Sequence, residues 1–200
     1  STPVVTAKIV NALNVVQTGV SLSTTGNAIT GDLSSLSDGV YTVQTRSTDA
    51  AGNATLRSQV VTIDTSAPTA TIVLADSALK VGETSLVTIT FSEAVTSFSN
   101  TDLTVPNGTL STVASSDGGL TWTATFTPTV NVEDTSNAIT LGTSYTDLAG
   151  NTGTLASSAN FSIDTSAPNA PAINVVATDD NVNAEEQTTT ITGTNEAGAT

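Results

Sequence analysis

The stretch "LTWTATFTP" at 120–128 places threonine at 121, 123, 125 and 127, with Leu120, Trp122, Ala124 and Phe126 between them. Successive side chains of a β-strand point to opposite faces, so this period of two predicts one strand with an apolar face and a polar face. "SLVTITF" at 85–91 repeats the pattern, with Val87, Ile89 and Phe91 set against Thr88 and Thr90. Around "AAGN" at 50–53, the flanking runs "VYTVQTRSTD" and "LRSQVVTID" read as the arms of an antiparallel hairpin. No segment sustains a helical period. Turn signals such as "SDGV", "PNGT" and "SDGG" recur at short intervals, the rhythm of a sandwich.

Two motifs return along the chain. "IDTSAPTATI" at 63–72 comes back as "IDTSAPNAPAI" at 163–173, and "TDAAGN" at 48–53 as "TDLAGN" at 146–151. Their near-equal offsets, about 100 residues, match one compact domain and argue for a tandem array. The chain therefore divides into 1–64, the C-terminal part of one repeat; 65–164, a complete repeat; and 165–200, the N-terminal part of the next. Within the complete repeat, seven strands are predicted near 69–75, 84–92, 101–106, 109–115, 119–127, 138–146 and 153–164. The expected fold class is all-β, a series of immunoglobulin-like seven-stranded β-sandwiches. With no cysteine, aliphatic packing around Trp122 and Phe126 must replace the inter-sheet disulfide of antibody domains. Tyr41, two residues after the glycine of "DG", has two readings, a tyrosine corner or an aromatic at a sheet edge. The incomplete ends suggest a piece of a longer array; a second reading has them complement one another between molecules, giving end-to-end self-association.

Composition removes several functions. The net charge of −14 sets 18 acids against Lys8, Arg46, Arg57 and Lys80. So few cations cannot neutralise a row of phosphates, which excludes nucleic acid, and an anionic membrane surface for the same reason. Cations are the natural partners, although negative charge also serves simply to keep an exposed protein soluble. The sequence opens with no basic-then-apolar leader and holds no run of about 18 apolar residues, so no membrane insertion is expected. Without histidine or cysteine, the common triads and thiol nucleophiles are unavailable. A pair of acids could cleave glycosides across a cleft, but nothing in the sequence marks one. The chain reads as non-enzymatic.

"DTSAP", "DGVYTVQTRSTDAAGN", "FSEAV" and "DLAGN" resemble the tandem bacterial Ig-like repeats of giant surface adhesins, the long, acidic, cysteine-poor proteins exported by type I secretion. The likeness covers essentially the whole chain. It implies an extracellular, cell-surface location and an extender role, in which stacked sandwiches hold a ligand-binding domain away from the cell in adhesion and biofilm formation. It also implies calcium between neighbouring repeats.

Strand parity offers a separate reason for the acid in "IDTSAP". In a sandwich of seven alternating strands, the second-to-third and sixth-to-seventh loops lie at the pole where the first strand begins. Those loops carry Glu93 and Asp147, and the preceding repeat ends at Asp64, so the three should meet at one junction; Asp102, just beyond the first of these loops, is a further candidate. Carboxylates brought together repel unless a cation is present. An oxygen-rich site suits Ca²⁺ better than Mg²⁺, which demands near-octahedral geometry and keeps several waters. The same logic joins Asp164 to Glu196 in the next repeat and turns Asp49 towards a preceding domain. The plainer reading of each acid is a solvated loop carboxylate or a cap. Asn53 and Asn151 read as turn formers or as ligands.

Other signals are weaker. "TDDNVNAEE" at 178–186 opens like an EF-hand loop through Asp179, Asn181 and Asn183, but Ala184 replaces the glycine and Thr190 the final glutamate. The threonine row at 121–129 is the exposed face of one strand more readily than an ice-binding rank. "NAT", "NGT" and "NFS" match the glycosylation pattern. Two further functions stand beside the extender: an accessory module of a secreted polysaccharide-degrading enzyme, and a self-assembling surface layer or filament.

Overall fold

The computed structural model describes residues 3–25, 28–173 and 193–194. Before Asp64 lie β1 (Val4–Asn11), β2 (Ser21–Thr25), β3 (Ala28–Asp32), β4 (Gly39–Thr48) and β5 (Ala54–Ile63). β4 and β5 form the hairpin expected around "AAGN", in unbroken register from Gly39↔Ile63 to Thr48↔Ala54, and β1 pairs antiparallel with the other edge of β4. β2 and β3 make a separate hairpin. Ile9, Val10 and Tyr41 are buried in this part of the chain. The Tyr41 hydroxyl donates to the Ser37 carbonyl four residues upstream at 2.9 Å, which is the bond of a tyrosine corner and decides between its two readings.

A layered unit follows: β6 (Ala70–Leu74), β7 (Ala78–Lys80), β8 (Ser85–Phe91), β9 (Val95–Thr96), β10 (Leu103–Thr104), β11 (Gly108–Leu110), β12 (Ala114–Ser115), β13 (Thr121–Pro128), β14 (Glu133–Asn137), β15 (Thr140–Leu141), β16 (Thr146–Asp147), β17 (Ala156–Ser157) and β18 (Phe161–Asp164). Beyond it, β19 (Ala172–Ile173) pairs with β20 (Gly193–Thr194). One layer runs β11–β13–β8–β6, antiparallel throughout, with β12 also on β13. The other is built from β10–β15–β17 and β14–β18–β7. The first strand is shared between them: β6 pairs with β8, and the chain then crosses over so that β7 lies parallel to β18. This is an immunoglobulin-like sandwich.

The alternating segments behave as their period predicts. Val87, Ile89 and Phe91 of β8 and Ala124 and Phe126 of β13 are buried, while Thr123, Thr125 and Thr127 face outward. Leu120 departs from the pattern, at 39% exposure. It follows Gly118 and Gly119, both at positive φ, and lies outside the regular strand, where its carbonyl accepts the Phe91 N–H. Trp122 is half-buried and meets Phe98 edge-on at 5.2 Å, its indole N–H donating to Gly119. Phe126 and Phe161 make a second edge-on pair, between the layers.

The strand predicted at 109–115 divides into β11 and β12 and that at 153–164 into β17 and β18, and three further segments change shape for identifiable reasons. The stretch near 76–83, read as a connection, contains β7, because Leu79 turns inward and is buried beside β18. The strand predicted at 101–106 shrinks to β10, because Asn100–Asp102 close a 3₁₀ turn capped by Ser99. The strand predicted at 138–146 is reduced to β15 and β16, and a separate strand, β14, precedes it on β18, with a register shift between Asp134 and Asn137. There the buried Asn137 side chain donates to the carbonyls of Asp134 and Phe161, replacing ladder bonds.

Phe126→Ala, which empties the space between the layers, is expected to cost about 3–5 kcal/mol in denaturant unfolding. Thr125→Ala, one residue away on the open face, should stay within about 0.5 kcal/mol.

Candidate metal centre

The "DxAGN" turn is built by its own carboxylate. In Asp147–Asn151, the Asp147 Oδ1 accepts the backbone N–H groups of Gly150 (2.7 Å) and Asn151 (2.8 Å), and Oδ2 accepts the Asn151 side-chain amide at 2.7 Å. Gly150 takes a φ of +97°, which an L side chain resists. Asp49 is held the same way, by Ala51, Asn53 and the Asn53 amide. The recurrence of Asp and Asn in the motif is therefore explained by turn closure. The Asn151 amide also donates to the Asp64 carbonyl at 3.1 Å, so it scaffolds the junction.

Pairing of β9 with β16, Thr146↔Thr96 and Asp147↔Val95, brings the loop after β8 against this turn. Glu93 sits on that loop. The linker is drawn in beside it, because Ser92 donates its N–H to the Thr69 carbonyl and accepts the Thr69 N–H on its hydroxyl. Asp64, Glu93 and Asp147 consequently converge, with one carboxylate oxygen from each lying within 4.8 Å of the others. This is the only such acidic group among the described residues.

The other candidates lie elsewhere. Asp102 is turned into the protein body by the 3₁₀ turn; its carboxylate accepts the Ser99 N–H at 2.8 Å and the Ser144 hydroxyl, and its carbonyl the Gly142 N–H. It ties the 3₁₀ turn to the connection between β15 and β16 and stands apart from the cluster. Asp49 occupies an exposed turn. Asp164 ends β18, in register with Glu133 on one side and Lys80 on the other. Glu196 and the loop containing Asp179, Asn181 and Asn183 fall outside the described residues.

Asp38, which sequence reading treated only as part of a turn, also reaches this junction. Its carboxylate accepts the Thr65 N–H (2.9 Å), the Thr65 hydroxyl (2.8 Å) and the Ser66 hydroxyl (2.6 Å). The signal for it was the repeat of Thr and Ser in "DTSAP", two hydroxyls that need an acceptor.

The electrostatics follow from this crowding. Glu93 is pushed above its ordinary value of 4.5, first by desolvation and then by the charges of Asp64, Asp147 and Asp38. Desolvation also works to raise Asp147, which is only 2% exposed, but its bonds from Asn151, Gly150 and Ala149 outweigh it and hold the group below 3.8. The Ser66 and Thr65 hydroxyls hold Asp38 low as well. The one ion pair among the described residues, Lys80–Glu83, is exposed and includes none of these acids.

Because its folded-state pKa is raised, protonated Glu93 contributes stability that is fully present below pH 4.5 and is lost as pH rises through the raised value. Glu93→Gln imitates the protonated group. In metal-free buffer it should raise the thermal midpoint at pH 7, and the gain should vanish on acidification below pH 4.5. Equal midpoints at pH 7 would show that the repulsion is absent.

The model of the family described as Bacterial Ig-like domain matches residues 64–163. No curated protein matches the chain. Among the described residues, no helix is long and apolar enough to cross a membrane. The match begins at the linker acid, takes in both layers and ends on β18, and with it the chain belongs to the bacterial Ig-like domain family.

Proposed function

We propose that this chain is a structural extender segment of a bacterial cell-surface adhesin, with Ca²⁺ at Asp64, Glu93 and Asp147 stiffening the joint between successive Ig-like units. Domains of the family are generally non-catalytic modules, extracellular or surface-associated. The returning "IDTSAP" and "DxAGN" motifs support the finer reading of a tandem array whose partners are its own neighbouring repeats.

The observation that carries the proposal is where the three acids come from. Asp64 belongs to the linker, whereas Glu93, on the loop after β8, and Asp147, at the end of β16, belong to the unit that follows. Any ion held by all three therefore bridges the joint. The donor set fits calcium: at Ca–O distances of about 2.3–2.6 Å, two oxygens on one ion are at most about 5 Å apart, and those of the cluster lie within 4.8 Å. All three are hard oxygen donors. Calcium would supply the positive charge the site lacks, while Asp147, already fixed by its turn, offers a carboxylate that needs no reordering.

Titration calorimetry should give a dissociation constant of about 10⁻⁴–10⁻³ M, the range of extracellular modules. Millimolar calcium should then add roughly 0.4–1.4 kcal/mol to stability by linkage. Asp64→Asn with Glu93→Gln should abolish the heat and leave the turn at Asp147 intact. An unchanged isotherm in that variant would place calcium elsewhere and remove it from the joint.

A further inference from the structure

The linker is gripped from both sides, and the grips interleave along its sequence. Towards the following unit, the Asn151 amide donates to the Asp64 carbonyl, Thr154 donates both its N–H and its hydroxyl to the Pro68 carbonyl, and Ser92 bonds Thr69 in both directions. Towards the preceding strands, Thr65 and Ser66 donate to Asp38, which lies just before β4. The backward grip at 65–66 thus falls between forward grips at 64 and at 68–69. Neither body can swing without breaking one set.

We infer that Asp38 is the positioning residue of this joint, latching the preceding β1–β4–β5 sheet to the linker and presenting Asp64 to the cluster in the absence of any metal. A carboxylate suits the task because it accepts bonds only, from three donors on two residues, and bonds to an ionised acceptor are stronger than neutral ones. The next linker shows the same placement made differently. Thr165, equivalent to Thr65 in the repeat, donates its hydroxyl to Thr129 at 2.6 Å and its N–H to Val132 at 2.7 Å, both backbone carbonyls, and is only 4% exposed. Ser136, the residue 98 positions after Asp38, takes no part there. In both linkers the threonine is anchored backwards, but only at Asp38 is the anchor a single replaceable side chain. The latch itself is independent of calcium; only its effect on Asp64 rests on the proposed cation site.

The chain lacks cysteine, so spin labels can be placed freely. Ser58→Cys and Thr125→Cys, both exposed, put one label on β5 and one on β13. Double electron–electron resonance on the 200-residue chain in metal-free buffer should show a narrow inter-label distance distribution. Asp38→Ala should lose the narrow peak, and Thr65→Val with Ser66→Ala should lose it likewise. A control pair within the layered unit, Thr125→Cys with Ser157→Cys, should stay narrow in all of them, which separates loss of the latch from loss of the fold. An unchanged inter-unit distribution in Asp38→Ala overturns the inference. Calcium titration of the chain with Asp38 in place tests the cation reading separately: binding that Asp64→Asn with Glu93→Gln abolishes supports calcium at the cluster, and absence of binding removes calcium while leaving the latch standing on its hydrogen bonds.

Discussion

Tyr145 is wholly buried, and its hydroxyl donates to the Thr154 carbonyl at 2.8 Å, with the Pro68 carbonyl 3.3 Å away. One side chain therefore ties the start of the strand that carries Asp147 to the connection leading into β17 and to the point where the linker enters the sandwich. The ring packs against Phe91 at 5.0 Å and Phe98 at 6.3 Å, the first ending β8 just before the Glu93 loop and the second just after β9. Gly153 runs so close beneath it that a Cβ there would sit 2.1 Å from the ring. In a domain without a disulfide, this aromatic group closes the pole at which the junction is built. Edge-on aromatic pairs add roughly 0.5–1.5 kcal/mol beyond their buried area. Their larger effect is to hold two loops and a linker in one arrangement.

That arrangement concentrates like charge. Asp38, Asp64, Glu93 and Asp147 come from four separated stretches of chain, and the fold gathers them without a lysine or arginine in an ion pair among them. Most of the resulting repulsion is absorbed by hydrogen bonds: Asp147 and Asp38 each accept three. Glu93 keeps a raised pKa, the mark of a carboxylate whose surroundings favour its neutral form. The joint thus combines two supports of different kind. Hydrogen bonds from Asp38 and Asn151 set the position of the linker, and a cation at the cluster would act on an arrangement already made.

The alternation in 85–91 and 122–127, the "AAGN" hairpin, the "LAGN" turn and the meeting of Asp64, Glu93 and Asp147 were all readable in the amino-acid sequence. These depend on local geometry: the two-residue period of a strand, the glycine of a turn, and the parity of alternating strands that sends loops to one pole. What only the tertiary structure decided is which acids do something else. Asp102 follows the same loop as Glu93, yet a 3₁₀ turn rotates it inward to Ser99 and Ser144, partners 3 and 42 residues away. Asp38 looked like a turn residue, yet it accepts from Thr65 and Ser66, which lie 27 and 28 residues further on. The parallel pairing of β7 with β18 likewise joins segments more than 80 residues apart. Local patterning specifies strands and turns because those depend on neighbours in sequence. The duties of a carboxylate depend on donors delivered by distant segments, and those are brought to it only when the layers close.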